Sequence, residues 1–265
     1  MVQPRPKTTR LDVAVAERSG VTRSHARSLI MAGRVRVNGR ALTKPGTSIA
    51  RDAALEIERP RPYVSRGGEK LEAALDAFAL DVHGLRVLDV GASTGGFTDC
   101  LLRRGASAVV AVDVGYGQLA WELREDPRVT VVERTNFRAL PDDAFPEGFD
   151  MIVVDVSFIS LRPILRRALG YLHAEGAIVA LVKPQFEAGR ERVGKGGVVR
   201  DPETHRAVLG EFHTAAAELG LGIIAAMLSP LRGPAGNVEF LVELRRGEHR
   251  VHTSALERLV DEAHA

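Results

Sequence analysis

The sequence predicts an α/β chain: a small N-terminal α+β domain joined to a larger domain with a mostly parallel seven-stranded sheet that ends in an antiparallel hairpin. Three observations support this: a length of 265 residues, an uneven charge distribution, and short apolar runs that alternate with helical patterns after residue 84. At roughly 100–200 residues per domain, the length suits one large domain with an appendage. We place the small domain at 1–58, a linker at 59–66 and the large domain at 67–265.

The formal net charge of +2 is an average over two unlike segments. Residues 1–60 contain 12 Lys and Arg against 5 Asp and Glu, whereas the remaining residues contain 24 against 29. Such asymmetry indicates a basic module that meets a polyanion, or only a solvated basic face. Charge alone leaves both interpretations open.

Composition also disfavours disulfides, cysteine-based metal clusters, membrane helices and secretion. The single cysteine, Cys100, cannot form an intrachain disulfide or a cysteine-based metal cluster, and we expect no bound metal. No apolar run approaches the ~18 residues of a membrane helix, and the N-terminus lacks the apolar stretch of a signal peptide. We therefore expect a cytoplasmic protein, and nothing in the sequence requires more than a monomer.

The basic N-terminal segment has the pattern of a compact domain. Residues 11–16 supply the apolar part of a first helix, and Thr22 or Ser24 is suited to cap a second one. Residues 34–37 then alternate between Arg and Val, and Asn38-Gly39 is a strong hairpin signal. The predicted order is therefore two helices followed by a hairpin.

This segment resembles an S4 RNA-binding domain over roughly residues 8–55. The features that match are Arg10-Leu11-Asp12, the segment from Thr22 to Gly33, the V-x-V-N-G element and Lys44-Pro45. The resemblance implies docking on folded RNA through phosphate contacts, which position a protein but carry little sequence information. The expected RNA-contacting residues are Arg10, Arg23, Lys44, Arg66, Arg134 and Arg138, although Arg134 and Arg138 also suit plain solvated arginines.

The larger domain shows the alternation that is typical of a parallel sheet with helices on both faces. A turn at 229–237 joins the last two predicted strands, which indicates the closing hairpin. Helical patterns cover 98–104, 161–172 and 204–219. The predicted strands are 86–90, 108–112, 129–133, 151–155, 177–182, 221–228 and 238–243.

A glycine-rich turn follows the first of these strands, where such sheets bind ligands. A dinucleotide site would read G-x-G-x-x-G, but Ser93 replaces the middle glycine and the spacing is G-x-x-x-G-G. Asp89, just before the glycines, disfavours a pyrophosphate and suits a loop-orienting role or a cationic amino-acid group. Asp113, 22 residues beyond Gly91, is placed to accept two ribose hydroxyls. A glycine turn without a ligand is the alternative.

This turn resembles the first motif of class I S-adenosyl-L-methionine-dependent methyltransferases. The resemblance implies that residues 91–96 line the methionine part of the cofactor, that Asp113 holds the ribose, and that Val114 and Asn136 flank the adenine. The expected cofactor-binding residues are Asp89, Gly91, Ala92, Ser93, Thr94, Gly95, Gly96, Phe97, Asp113, Val114 and Asn136.

The end of the fourth strand indicates which atom is methylated. Asp155 is not followed by Pro-Pro-Tyr, which would complete the Asp-Pro-Pro-Tyr tetrad that is common in amino-group methyltransferases. Methylation of a base carbon typically needs a nucleophilic Cys, but Cys100 lies in the first helix, away from this strand end. A hydroxyl acceptor fits better, because a lysine with a lowered pKa can orient a ribose 2′-hydroxyl and help remove its proton. Lys183 ends the fifth strand, while Lys70 and Glu239 flank the first and last strands.

The order Lys70, Asp155, Lys183, Glu239 is similar to the catalytic tetrad of FtsJ-type 2′-O-ribose methyltransferases. Together with the S4-like segment it resembles the TlyA-type ribosomal RNA methyltransferases, also labelled hemolysin A, through VSRGGEKL, LDVGASTGGFTDCLL, DVSFIS, LVKPQFE and SPLRGPAGNVEF. The resemblance implies 2′-O-methylation of cytidine in ribosomal RNA, with ribosomal subunits as partners. The family's Arg-x-Trp-Val linker here reads Arg61-Pro62-Tyr63-Val64.

Three other functions are open to a chain of this kind. A membrane-lytic toxin would require an amphipathic or apolar membrane segment and an export signal, which the sequence lacks. A pseudouridine synthase often carries an S4 domain, but the glycine turn would be unexplained. A non-catalytic RNA-binding factor with a decayed methyltransferase fold is opposed only by the retained tetrad.

Overall fold

The structure, a computed structural model, describes residues 7–57, 62–247 and 249–265. The chain divides into two compact units, Met1–Arg61 and Pro62–Ala265. Residues 58–61, which include the first three residues of the predicted linker 59–66, lie outside the described residues. Residues 62–65 belong to the larger unit, and Arg66 is the first residue of that unit's first helix.

Within residues 7–57, the smaller unit contains two helices and five short strands. Gly20, with φ +67°, ends the first helix in the left-handed conformation that glycine tolerates. The second helix begins where the Thr22 side chain accepts a hydrogen bond from the His25 N–H. The elements are β1 (Thr8–Arg10), α1 (Leu11–Ser19), α2 (Arg23–Met31), β2 (Val35–Val37), β3 (Arg40–Ala41), β4 (Ser48–Ala50) and β5 (Leu55–Ile57).

The predicted hairpin is confirmed. Asn38 and Gly39 connect β2 to β3 with φ of +49° and +78°, the two positive angles that a type I′ turn requires. β5 pairs with the other edge of β2, and β1 pairs with β4. These last three strands have three residues each, so their sequences are too short to show a period.

The larger unit is built on one seven-stranded sheet, as predicted. Its spatial order is β11-β12-β10-β9-β6-β7-β8, with parallel pairing except at β12, which is antiparallel to both neighbours. The hairpin β11–β12 therefore closes one edge of the sheet. The strands are β6 (Arg86–Val90), β7 (Ala108–Val112), β8 (Val129–Val132), β9 (Phe149–Val154), β10 (Leu172–Val182), β11 (Leu221–Leu228) and β12 (Phe240–Arg246).

Helices cover both faces of this sheet, because alternate strand residues point to opposite sides. Val87 and Val109 belong to one hydrophobic core, which α3 and α4 cover, whereas Leu88 and Val110 belong to a second, which α6, α8 and α9 cover. The helices are α3 (Arg66–Ala77), α4 (Gly96–Arg103), α5 (Trp121–Arg124), α6 (Leu161–Ala168), α7 (Pro184–Glu187), α8 (Pro202–Glu218) and α9 (Thr253–His264).

The structure corrects the predicted helix 161–172, which ends at Ala168. A turn at Gly170 follows, and β10 begins at Leu172, five residues before the predicted start, with a register shift between Leu172 and Ala177. Apolar residues on both sides of the turn made the segment look like one continuous helix. Leu165 and Ala168 before the turn and Tyr171 and Leu172 after it are all buried, so burial alone does not distinguish helix from strand here.

Candidate active site

Three of the four predicted tetrad residues lie at the carboxyl edge of the sheet. Asp155 immediately follows β9, and Lys183 immediately follows the neighbouring strand β10. Glu239 immediately precedes β12, and the register that pairs Val182 with Phe240 places Glu239 beside Lys183. The fold thus brings together side chains that the sequence separates widely.

These residues and Lys70 form two ion pairs. The Nζ atom of Lys183 lies 2.5 Å from Oδ1 of Asp155 and donates a hydrogen bond of 3.0 Å to Oγ of Ser157. Lys70, on α3, forms an ion pair with Oε2 of Glu239, and these two side chains are only 9% and 2% exposed. Both partners of this second ion pair are buried. Each charge is therefore compensated by the other and not by water.

The glycine turn after β6 requires a residue without a side chain at its first position. Gly91 has φ +89°, and a Cβ atom there would lie 2.5 Å from the carbonyl oxygen of Asp155. The turn is held by Asp113, whose Oδ2 accepts a 2.8 Å hydrogen bond from the Ser93 N–H and whose Oδ1 accepts a 2.6 Å bond from the Gly115 N–H. Each carboxylate oxygen keeps lone-pair capacity for a further donor, such as a ribose hydroxyl.

A cavity of about 560 Å³ opens beside this turn. Its volume lies within the ~300–1,000 Å³ that is usual for small-molecule sites. Asp155, Ser157 and Phe158 also line it, so the Lys183–Asp155 pair borders the same space. The backbone of Gly91, the carboxylate of Asp113 and the side-chain amide of Asn136 lie beside apolar side chains in this cavity. This combination fits a nucleoside cofactor, whose ribose hydroxyls the carboxylate would accept. The predicted cofactor residues in the cavity wall are Gly91, Ser93, Asp113, Val114 and Asn136.

The other predicted cofactor residues do not line this cavity, and their contact with the cofactor stays a prediction. A Cβ atom on Gly95 would lie 2.2 Å from Cδ1 of Leu123, and one on Gly96 would lie 2.9 Å from the backbone nitrogen of Gly68. These two glycines therefore allow α4 to pack closely on its neighbours. The remaining members of this group are Asp89, Ala92, Thr94 and Phe97.

Asp89 is fully buried on β6 and accepts a 2.6 Å hydrogen bond from the Thr98 hydroxyl on α4. Burial raises the pKa of its carboxyl group to about 7, with a smaller contribution from the negative charge of Asp155. The side chain therefore ties the strand to the following helix and exchanges its proton near neutral pH. This contact fits the loop-orienting interpretation of Asp89.

Two of the predicted RNA-contacting arginines share a buried acid in the smaller unit. Asp12 accepts hydrogen bonds of 3.0 Å from Nε and Nη2 of Arg10 and one of 3.2 Å from Nε of Arg23. The Arg10 hydrogen bond is the main reason that the pKa of Asp12 falls to about 2. The arginine side chains stay 53% and 57% exposed, so each can still meet a phosphate. Lys44 is exposed as well.

The predicted RNA residues of the larger unit lie at helix or strand ends. Arg66 is exposed at the first position of α3. Arg134 has φ +52° and places its guanidinium 3.9 Å from the centre of the Tyr116 ring. Arg138 lines the cofactor-side cavity. Their contact with RNA stays a prediction.

Tyr63, which stands where the family commonly has Trp, is buried in the core of the larger unit. Its hydroxyl donates a 2.7 Å hydrogen bond to Oε1 of Glu72. A Cβ atom on Gly68 would lie 2.3 Å from Cγ of the tyrosine, so this glycine makes room for the ring. The tyrosine ring, although smaller than the indole of Trp, is therefore packed in the core near the start of this unit.

Two residues next to the site were missed by sequence reasoning. Ser157 accepts the hydrogen bond from Lys183, and its position two residues after Asp155 was the available signal. Phe158 is 91% exposed with φ +66°, and its ring lies 5.1 Å from that of Phe186. An exposed aromatic side chain in a strained conformation is visible only in the structure.

The fold and the site define a methyltransferase of the class I type joined to a small basic domain. A family model for FtsJ-like methyltransferases matches residues 63–246, and a model for the S4 domain matches residues 9–53. The chain belongs to the FtsJ-like methyltransferase family and carries an S4 domain. This membership confirms the predicted enzyme class and the predicted cofactor, S-adenosylmethionine, and contradicts the pseudouridine synthase alternative.

Similar proteins match almost the whole chain. The 16S/23S rRNA (cytidine-2′-O)-methyltransferase TlyA of Mycobacterium tuberculosis is 49% identical over 90% of this chain and 90% of its own. Hemolysin A of Brachyspira hyodysenteriae is 40% identical over 83% of this chain and 92% of its own. The structure of a proposed hemolysin from Streptococcus thermophilus has a TM-score of 0.76 and 41% identity, covering 98% of this chain and 97% of that one.

Neither a helix that could cross a membrane nor a cluster of metal ligands is found in the described part of the chain. Among the described helices, none combines the length and the apolar character that a membrane span needs. Within residues 7–57, 62–247 and 249–265, no three His, Cys, Asp or Glu side chains are grouped as a metal site would require.

Proposed function

We propose that this protein transfers a methyl group from S-adenosylmethionine to the 2′-hydroxyl of a cytidine ribose in ribosomal RNA. The observation that carries the proposal is the Lys183–Asp155 ion pair, which borders the cavity held open by Gly91 and Asp113. The names of the relatives support the choice of ribosomal RNA and of cytidine.

The residues that would hold the cofactor are those that line the cavity. The carboxylate of Asp113 would accept the ribose hydroxyls, and the bare backbone of Gly91 leaves room for the methionine part. Val114 and Asn136 would flank the adenine. When bound, the cofactor supplies an electrophilic methyl group on a sulfonium.

A ribose 2′-hydroxyl is a poor nucleophile and must be aligned with the methyl group before it reacts. Lys183 is placed to orient this hydroxyl and to help remove its proton, because Asp155 and Ser157 fix Nζ from two sides. Glu239 and Lys70, beside this pair, would set the local charge. Because the four charged groups lie close together, we assign the transferred proton to the set rather than to one member.

The S4 domain would dock the RNA through Arg10, Arg23 and Lys44, which are exposed or half-exposed. Arg66, Arg134 and Arg138 would extend this contact on the methyltransferase domain. Phosphate contacts of this kind position the RNA and leave selection of the nucleotide to other groups. Because ribosomal RNA is the proposed substrate, we infer that the protein acts in the cytoplasm. We further propose that it acts as a monomer.

The test is methylation of purified small and large ribosomal subunits by the full chain with radiolabelled S-adenosylmethionine. We expect label in ribosomal RNA, at a cytidine whose 3′ phosphodiester bond resists alkaline hydrolysis, as a 2′-O-methyl group requires. Label on a base would contradict the proposed acceptor. Binding of subunits without methyl transfer would instead support the non-catalytic RNA-binding alternative.

A second measurement separates docking from chemistry. We expect Lys44→Ala to weaken binding to subunits and to make the dependence of log affinity on log salt concentration less steep, because the variant neutralises one phosphate fewer. An unchanged salt slope would contradict the phosphate-contact role of Lys44. Thermal unfolding of the same variant serves as the control for folding, because Lys44 belongs to the smaller unit and the cofactor cavity to the larger one.

A further inference from the structure

Helix α6 carries a cluster of arginines that the proposed catalytic set does not use. The helix follows the Asp155 loop and contacts the 3₁₀ turn Phe137–Ala139. Arg138 from that turn and three arginines from α6 surround an open cavity of about 460 Å³. The residues that line it are Arg138, Arg162, Pro163, Arg166 and Arg167.

The charge of this cluster is only partly compensated. Arg162 lies 2.5 Å from Oε2 of Glu218, and Arg167 pairs with Asp142. Both of these carboxylates are solvent-exposed, at 51% and 96%, so the ion pairs are weak and an incoming anion can replace them. Arg166 is exposed and forms no ion pair with any residue that the structure describes.

This concentration of positive charge contrasts with the rest of the domain. Residues 62–265 contain more acidic than basic residues, 29 against 23. Like charges that line one cavity disfavour one another, and a bound anion offsets that repulsion. The planar guanidinium group matches the geometry of a phosphate, to which it can donate two parallel hydrogen bonds.

The position of the cluster relative to the active site is defined by shared residues. Arg138 lines both this cavity and the cofactor-side cavity, and Ile164 of α6 lines the latter. The arginine cavity therefore lies beside the space where the acceptor nucleotide must approach the methyl group. A nucleic-acid strand that enters the active site has further phosphates on both sides of the target ribose.

We propose that the cavity lined by Arg138, Arg162, Arg166 and Arg167 binds backbone phosphates of the RNA strand next to the methylated nucleotide. This inference rests on the proposed function, which supplies the RNA. It assigns a phosphate-binding role to α6, in addition to the S4 domain. Its effect would be to hold the acceptor strand in place after the S4 domain has docked the RNA.

The test compares Arg166→Ala and the double variant Arg138→Ala/Arg166→Ala with the wild-type full chain. Binding to purified ribosomal subunits is measured at several KCl concentrations, and methylation is measured at varied subunit concentration. We expect the plot of log affinity against log salt to become less steep by about 0.7–0.9 for each phosphate that the variant no longer neutralises. We also expect KM to rise severalfold, with kcat changed little in Arg166→Ala.

The matched control is Arg258→Ala on α9, because Arg258 is also exposed. An unchanged salt slope and KM in both cavity variants would overturn the inference, and so would an equal loss in Arg258→Ala, which would indicate a general charge effect. S-adenosylmethionine affinity and the thermal unfolding midpoint confirm that each variant is folded. If the wild type binds subunits but transfers no methyl group, the proposed function fails, while the salt slopes still decide the phosphate-binding role.

Discussion

Lys183 and Asp155 face each other from the ends of two adjacent parallel strands, with Nζ 2.5 Å from Oδ1. The pair is oriented by its strands rather than by a flexible loop, since each residue directly follows the last residue of a strand. Lys183 is 9% exposed, so its ammonium group has few water molecules to compete with Asp155 and Ser157. We therefore expect the rate of methyl transfer to depend on all three side chains.

We expect Lys183→Ala to reduce the rate of methyl transfer by at least ~100-fold, the usual contribution of a positioned acid or base. Asp155→Ala should have a similar effect, because Lys183 then loses its ion-pair partner. The measurement is incorporation of labelled methyl groups into ribosomal subunits at saturating cofactor. Affinity for subunits should stay close to the wild-type value, and equal activity in wild type and Lys183→Ala would refute the mechanism.

Ser157 is expected to position Lys183 through its 3.0 Å hydrogen bond. Ser157→Ala should lower kcat by about tenfold, which corresponds to ~1.4 kcal/mol for a hydrogen bond to a charged group. Ser157→Thr keeps the hydroxyl and should restore most of the rate. The pH profile of kcat should shift in the alanine variant but not in the threonine variant, and identical kcat and pH profiles in all three proteins would exclude a positioning role.

The Lys70–Glu239 pair is buried, so removal of one partner leaves an uncompensated charge. We expect Lys70→Met alone to lower the free energy of unfolding by ~3–5 kcal/mol. The double variant Lys70→Met/Glu239→Leu should recover most of that loss, because no buried charge remains. Urea denaturation measures both values. If the double variant is as unstable as the single one, the lysine contributes packing rather than charge compensation.

Gly91 is expected to be required for its backbone conformation and for the close approach to Asp155. Gly91→Ala should abolish detectable S-adenosylmethionine binding in calorimetry, since the added Cβ would displace the Asp155 carbonyl. Gly84→Ala is the matched control, because Gly84 also has a positive φ, +76°, but nothing lies within 4 Å of its Cβ position. That variant should lose only the ~1–2 kcal/mol of left-handed strain and bind the cofactor normally.

Asp89 should make stability depend on pH. Its pKa is raised from 3.8 to about 7 in the folded protein, so the native state binds more protons than the unfolded state between these values. The contribution of Asp89 to stability is therefore fully present at low pH and is lost as pH rises through about 4 to 7. Asp89→Asn removes this loss.

The measurement for Asp89 is the free energy of unfolding in urea between pH 4 and pH 8. The stability of Asp89→Asn relative to wild type should increase as pH rises toward 7 and then level off. Asp143→Asn, at an exposed position, serves as the control and should show no such trend. A constant difference between Asp89→Asn and wild type across this range would contradict the raised pKa.

Local patterns were sufficient to predict most of the fold. The seven strands, the Asn38-Gly39 hairpin and the closing antiparallel pair follow from periodicity and turn residues, which act over a few positions. Strands β1, β4 and β5 of the smaller unit and the end of α6 could not be obtained in this way. Their boundaries depend on pairing partners that are distant in the chain.

The sequence by itself determined the two-domain organisation and the glycine turn, and it pointed to the four charged residues that we predict to form the tetrad, because residue type and order are enough to indicate each. Only the tertiary structure decided how those charges pair. Lys70 meets Glu239 across 169 residues, while Lys183 meets Asp155 and Ser157. It also showed that Gly95 and Gly96 serve helix packing, and that Arg138 joins the arginines of α6. The physical reason is that ion pairing and close packing depend on distance in space, which strand order and register set and which no local pattern records.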